Sequence, residues 1–143
     1  MKIQQLSLFA ENKPGHIAAP ARLLAQESID IRALYLADTQ QYGIVRMIVS
    51  DWQKAAALLE AHKFVVKITE VLAVEVPDRP GGLADVLDAL DGTGINIEYM
   101  YAFPYSRSKQ AILIFRFADP DAAIARLQIA GINLLASEEL LKI

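Results

Sequence analysis

The stretch LSLFAENKPGHIA, residues 6–18, recurs as LAVEVPDRPGGLA, residues 72–84, and this recurrence decides the fold. The Pro-Gly pairs of the two stretches fall 66 residues apart. The same offset places SIDIRALYLA, residues 28–37, on GINIEYMYAF, residues 94–103, without a gap. Self-similarity of this extent predicts that the chain contains two copies of one structural unit.

The repeat continues beyond the second segment with a small change of offset. IVRMIVSD, residues 44–51, matches ILIFRFAD, residues 112–119, at an offset of 68, which places two additional residues in the preceding turn of the second copy. We therefore predict two domains, residues 1–70 and residues 71–143.

Within each half the apolar spacing changes from alternation to helical periodicity and back. The apolar residues predicted to share one face of the first helix are Ile17, Ala21 and Leu24 in one half and Leu83, Leu87 and Leu90 in the other. The residues predicted to alternate along the second strand are Ile29, Ile31, Ala33 and Tyr35, then Ile95, Ile97, Tyr99 and Tyr101. Asp51 and Asp119 predict the start of a second helix, and residues 65–68 and 132–135 predict a last strand. The order βαββαβ predicts an α+β fold of two ferredoxin-like repeats, each an antiparallel sheet with its helices on one face.

Composition narrows the functional classes. Of 143 residues 54% are hydrophobic, the formal net charge is -3, and there is no cysteine. The lack of cysteine excludes disulfides and thiolate metal sites, and the two histidines lack a partner at metal-ligand spacing, so we expect neither metal nor cofactor. The negative charge argues against nucleic-acid binding. Apolar stretches shorter than roughly 20 residues and the lack of a signal peptide predict a cytoplasmic protein without membrane contact.

The third strand of each half is apolar at both alternations, so both of its faces are predicted to be buried. Each half has only about 70 residues, and a domain of this size is marginal alone because it buries only about 60% of the surface that its unfolded chain exposes. We expect the sheets to pair with each other and with a second chain, as in a homodimer.

Recurring NKPG and DRPG turns, in phase with the Ser/Gly-Ile-Asx-Ile second-strand starts, resemble those of ACT domains, the amino-acid-sensing modules attached to biosynthetic enzymes. The resemblance covers nearly the whole chain twice, and the arrangement of the chain is similar to that of a stand-alone tandem ACT protein. The first repeat also resembles the regulatory subunit of acetolactate synthase. The resemblance implies a non-catalytic regulatory protein that binds a small molecule, typically an amino acid, between ACT repeats.

An amino acid needs donors for its carboxylate and acceptors for its ammonium. Gly15 and Gly81 lack a Cβ, so a carboxylate can approach the backbone N–H groups at a helix start. By resemblance, Asn12, Asp78, Asp30 and Asn96 hold the family positions whose polar side chains contact ligand. The complete set of predicted ligand-binding residues is Asn12, Lys13, Pro14, Gly15, His16, Asp30, Asp78, Arg79, Pro80, Gly81, Gly82, Leu83, Asn96 and Tyr99. No catalytic residue is predicted.

Other interpretations remain open. Asn12, Asp78 and Asn96 are residue types that serve equally as turn and cap residues. Tyr99 and its neighbouring tyrosines suit ordinary strand packing as well as a pocket. An enzyme would need a nucleophile with a base, a carboxylate pair or a metal cluster, and the sequence shows none of these at recognisable spacing. The main alternative is a regulatory subunit or interaction module that acts on a separate amino-acid biosynthetic enzyme, such as acetolactate synthase.

Overall fold

A computed structural model describes residues 1–38, 42–105 and 108–143. These residues form two compact units. The first-repeat unit is Gln4–Thr69, and the second-repeat unit is Glu70–Ile143 together with Met1–Ile3. The turns that carry the two-residue difference between the copies include residues 39–41 and 106–107, which lie outside the described residues.

The first-repeat unit has the predicted βαββαβ order. Its elements are β1 (Lys2–Glu11), α1 (Ala18–Gln26), β2 (Ile31–Asp38), β3 (Tyr42–Val49), α2 (Trp52–Ala61) and β4 (Val65–Pro77). The strands lie in the order β2-β3-β1-β4, and both β1 and β2 pair with β3 antiparallel. Leu6 and Met47 from the sheet pack with Leu24 of α1 and Leu59 of α2 in one core, so both helices cover the same face.

The second-repeat unit repeats this arrangement. After the later part of β4 it contains α3 (Gly82–Leu90), β5 (Ile97–Ala102), β6 (Gln110–Phe117), α4 (Pro120–Ile129), β7 (Leu134–Leu135) and α5 (Ser137–Leu141). β6 lies between β4 and β5, β7 pairs with β4, and every one of these pairings is antiparallel. Phe115 and Leu72 of the sheet pack with Val86 of α3 and Leu127 of α4. The α+β fold of two ferredoxin-like repeats is thereby confirmed.

Local sequence sets the second helix of each repeat as predicted. The Asp51 side chain accepts a hydrogen bond from the Lys54 N–H, and the Asp119 side chain accepts one from the Ala122 N–H, both at 3.0 Å. Trp52 opens α2 and packs on the first-repeat core. These are ordinary N-cap interactions that satisfy amides at a helix start.

The prediction for the face of α3 is wrong at two positions. Leu83 and Leu87 are 38% and 39% exposed, whereas Val86 and Leu90 face the core together with Gly82. A Cβ on Gly82 would lie 2.0 Å from the Pro77 carbonyl oxygen. This close approach fixes which side of the helix touches the sheet, and residues four apart from Gly82 therefore point inward.

The simple alternation predicted for the second strand is also wrong. The pairing register shifts between Ile31 and Ala33 in β2, and at the matching place between Ile97 and Tyr99 in β5. An extra residue in one strand changes the face on which the following side chains lie. Ile31 and Ile97 consequently pack on the helix side, and the residues predicted to follow them there lie on the opposite face.

The last strands differ from their predicted lengths. Residues 65–68 belong to the 13-residue strand β4, which continues into the second repeat, and residues 132–135 contribute only the two-residue strand β7. The short helix α5 was not predicted, although Glu139 caps it by accepting from the Ala136 N–H at 2.9 Å.

Candidate functional site

Both Pro-Gly motifs form the same type of turn. The His16 N–H donates to the Lys13 carbonyl at 3.3 Å, and the Gly82 N–H donates to the Arg79 carbonyl at 3.0 Å. The intervening glycines, Gly15 and Gly81, have φ of 83° and 87°. Proline at the second position and a residue of positive φ at the third define a type II β-turn. The glycines are thus required by backbone conformation as well as by access.

The helices after these turns begin at different distances from them. α3 begins at Gly82, directly after the turn, whereas α1 begins only at Ala18. Pro20 has no N–H to donate to the carbonyl four residues earlier, so the first such bond runs from the Ala21 N–H to the Ile17 carbonyl at 3.2 Å. The first repeat therefore presents a longer, non-helical stretch of backbone beside its turn.

The charged side chains of the turns have partners close by. Lys13 Nζ lies 3.2 Å from a Glu11 carboxylate oxygen. In the second repeat the Arg79 guanidinium pairs with Asp85 and also donates to the Pro80 carbonyl. His16 Nδ1 lies against the Lys13 carbonyl oxygen. All of these groups are near the surface, so they remain accessible to a ligand of opposite charge.

Asp30 and Asn96, two of the predicted site residues, lie away from the turns of their own repeats. Asp30 precedes β2, where its carboxylate is 3.1 Å from Arg32, while Asn12 follows β1. Along β3 the partner of Ile31 is Val49 and the partner of Glu11 is Tyr42. At roughly 3.4 Å per residue these two ends of the sheet are about 24 Å apart.

The same separation holds in the second repeat. The Asn96 carbonyl accepts from Ala118 at the end of β6, whereas the Asp78 N–H donates to Lys109 just before β6. One repeat therefore does not bring its turn together with the start of its own second strand.

The remaining predicted residues have distinct surroundings. Gly82 is buried against Pro77, and Leu83 lies on the exposed side of α3. Tyr99 is half-buried and lies opposite Arg116 in the register of β5 and β6, on the sheet face away from the helices. The Nε atom of Arg116 lies 3.0 Å from a carboxylate oxygen of Glu98.

Each repeat has a cleft at the end of its sheet that carries the turn. In the first repeat a cleft of about 430 Å³ lies between the end of β1, the turn and the loop before β4, and its lining includes Phe9, Lys13, His16, Lys63 and Phe64. A second, shallower depression of about 550 Å³ lies over the turn itself, residues 12–18.

The matching cleft of the second repeat is about 240 Å³. Its lining includes Glu75, Asp85, Gly131, Ile132 and Asn133. Sequence reasoning identified the turns but missed the loops before the last strands, which line both clefts. The sequence signal that could have indicated this loop is Lys63, which stands at a helix end where the second copy has Gly131.

No cluster of potential metal ligands occurs in residues 1–38, 42–105 and 108–143. Within the same ranges no helix is both long enough and apolar enough to cross a bilayer.

The family model described as an ACT domain pair matches residues 1–143. The chain belongs to this ACT family. ACT domain pairs are regulatory modules. The same turn geometry in both βαββαβ repeats agrees with membership of this family. A comparison with curated proteins gives no match for this tandem ACT protein.

Solved structures extend the comparison. Protein BT0572 from Bacteroides thetaiotaomicron is similar over 100% of this chain and 98% of that chain, with 38% identity and a TM-score of 0.93. The ligand-free regulatory subunit of aspartate kinase from Thermus thermophilus is similar over 89% of this chain and 91% of that one, with 19% identity and a TM-score of 0.61. E. coli aspartokinase III in complex with lysine and aspartate is similar over 91% of this chain and 31% of that chain, with 15% identity and a TM-score of 0.54. At such identities the two kinase likenesses concern the fold alone.

Proposed function

We propose that this tandem ACT protein is a non-catalytic sensor that binds an amino acid through its two Pro-Gly turns. The observation that carries the proposal is the repeated type II turn, with Gly15 and Gly81 at positive φ beside the start of a helix. A Cβ on Gly15 would meet nothing within 4 Å, so the space above this turn is open to a ligand. Backbone N–H groups at a helix start favour a carboxylate.

The ammonium of the ligand needs acceptors, and the start of the second strand supplies them in Asp30 and Asn96. Because the turn and this strand start lie at opposite ends of one repeat, a site that uses both needs a second ACT copy. We propose that an ACT repeat of a second chain provides it, which also accounts for the expected homodimer. The complex of E. coli aspartokinase III with lysine and aspartate supports an amino-acid ligand by analogy of fold.

A thermal-shift screen with each of the twenty common amino acids, followed by calorimetry on the hits, tests this function. A ligand at 100 times its dissociation constant stabilises the folded state by about 2.7 kcal/mol, which raises Tm by several degrees. If no amino acid at millimolar concentration changes Tm, the proposed ligand class is rejected.

The variant Gly15→Asn with Gly81→Asn tests the location. Asparagine tolerates positive φ, so the turns keep their conformation while a side chain covers the amides. We expect at least a tenfold loss of affinity for any hit. The matched control is Gly92→Asn. Gly92 has φ of 69° and an added Cβ there would meet nothing within 4 Å, but it lies outside the two Pro-Gly turns. Equal affinity in the double variant and the control would place the ligand elsewhere.

The alternative is a regulatory subunit or interaction module that acts on a separate biosynthetic enzyme. Leu34 and Leu36 on the edge strand β2 are 53% and 46% exposed, which favours a protein partner at this edge. The two functions are compatible, because an amino acid that changes the arrangement of ACT copies also changes what they bind.

A further inference from the structure

The first-repeat cleft differs chemically from its counterpart in the second repeat. We define the first-repeat cleft by Phe9, Lys13, His16, Lys63 and Phe64, five of the residues that line its volume of about 430 Å³. This volume falls within the usual range for small-molecule sites. Phe64 is partly buried on the first-repeat core, and Phe9 is 40% exposed, so the cleft has an apolar wall.

The first-repeat cleft has a net positive charge, because its lining contains Lys13 and Lys63 and one carboxylate, Glu11. Lys13 is neutralised by Glu11 at 3.2 Å. Lys63 takes part in no ion pair among the described residues. The imidazole of His16 lies beside the same space, with Nδ1 against the Lys13 carbonyl. An uncompensated ammonium beside an apolar wall favours an anion with an apolar group.

The backbone at Lys63 is in a conformation that lysine adopts at a cost. Its φ is 65°, in the left-handed region, at the end of α2. The equivalent residue of the second repeat is Gly131, with φ of 74°. A left-handed conformation costs an L-residue about 1–2 kcal/mol, which glycine avoids. Residues in such strained conformations cluster at binding and active sites, so a strained lysine that lines a cleft points to a role in binding.

The cleft of the second repeat has the opposite character. Glu75 replaces Phe9, Asp85 replaces Ala19, and Gly131 replaces Lys63. The Glu75 carboxylate is bonded to the Asn133 side chain, and Asp85 is bonded to Arg79. This cleft has an acidic lining and a smaller volume, so an anion is disfavoured there.

We infer that the first-repeat cleft binds a small organic anion, a carboxylate or phosphate that carries an apolar group, and that the second-repeat cleft does not. Lys63 Nζ holds the anionic group, and Phe9 and Phe64 contact the apolar group. The inference goes beyond the proposed function, because it needs only the first repeat and a net negative ligand in place of a zwitterion.

The test is a titration of the full chain, followed by ¹H–¹⁵N correlation spectra, with phenylacetate, with phenyl phosphate and with neutral 2-phenylethanol. We expect saturable shifts at the amides of Gly15, His16, Lys63 and Phe64 with at least one anion. The neutral alcohol should bind at least tenfold more weakly. Saturation by phenylacetate assigns a carboxylate ligand, and saturation by phenyl phosphate alone assigns a phosphate. Shifts with neither anion, or shifts centred on the second-repeat cleft, overturn the inference.

The variant Lys63→Gly separates binding from folding. It removes the charge and relieves the left-handed strain, so the protein should become more stable while its affinity for the anion falls about tenfold. Ser28→Gly is the matched control, because Ser28 also has a positive φ, of 55°, yet does not line the cleft. Lys67→Gln controls for general surface charge. Native affinity in Lys63→Gly, or an equal loss in Lys67→Gln, contradicts the assignment.

These outcomes are independent of the amino-acid screen. A negative screen with a positive anion titration rejects the proposed function alone. Amino-acid binding that survives Lys63→Gly, in a protein that gives no anion shifts, rejects the inference alone.

Discussion

At the scale of single residues, consecutive glycines in the second-repeat turn serve different purposes. Gly81 supplies the positive φ of the turn, whereas Gly82 lets the start of α3 approach the Pro77 carbonyl. At the position equivalent to Gly82 the first repeat has His16, whose helix begins later. The need for a glycine there comes from packing and not from turn type.

Gly82→Ala should therefore destabilise the protein by about 3 kcal/mol or more, since the added Cβ would lie 2.0 Å from a backbone oxygen. Urea unfolding followed by circular dichroism measures the change. His16→Ala at the equivalent position should cost less than about 1 kcal/mol. Similar losses in both variants would mean that the close approach is not the cause.

Ser28 and Lys63 are the two non-glycine residues at positive φ in the described part of the first repeat, and their counterparts, Gly94 and Gly131, are glycines. Ser28→Gly should raise the free energy of unfolding by about 1 kcal/mol, because glycine adopts this conformation without steric penalty. Differential scanning calorimetry measures the accompanying rise in Tm. An unchanged or lower Tm would indicate that the serine makes a compensating interaction.

At the scale of elements, the second helix of each repeat begins at an aspartate whose side chain accepts a backbone N–H. Asp51→Ala and Asp119→Ala should each reduce stability by about 1 kcal/mol, because an amide at the helix start loses its acceptor. Chemical denaturation of the two variants gives these values. Asp88→Ala, an exposed change within α3, should stay within about 0.5 kcal/mol of the natural protein. A cap variant as stable as this control would disprove the capping role.

At the scale of the whole molecule, the first three residues belong to the second-repeat unit. Lys2 Nζ lies 3.0 Å from Asp121 and 3.2 Å from Glu70. The hydrogen bond with Asp121, followed by that with Glu70, raises the pKa of Lys2 above its ordinary value. A raised pKa in the folded state means that the pairs stabilise the fold fully below the unfolded pKa, about 10.4, and that this contribution fades as pH rises through the folded pKa.

The stability difference between the natural protein and Lys2→Gln should accordingly be constant from pH 7 to about pH 9 and shrink in more alkaline solution. Urea unfolding at a series of pH values measures this difference. Lys142→Gln, near the chain end, should show no comparable trend. A difference that grows with pH would have the wrong sign for these ion pairs.

The sequence by itself determined what depends on neighbours along the chain. Pro14 before Gly15 specifies a type II turn, Asp119 before Pro120 specifies a helix start, and the recurrence of such signals at a fixed offset specifies two plaits of one kind. These features need only short-range sterics and local hydrogen bonds.

Only the tertiary structure decided what depends on partners distant in sequence. The bulge after Ile31 arises from pairing with β3, and the face of α3 follows from the contact of Gly82 with the end of β4. The separation of Asp30 from Asn12 follows from strand direction, and the cleft at Lys63 exists because a loop 50 residues later in the chain returns beside Lys13. Register, helix phase and cleft shape depend on contacts across the sheet, and the periodicity of a single segment does not contain them.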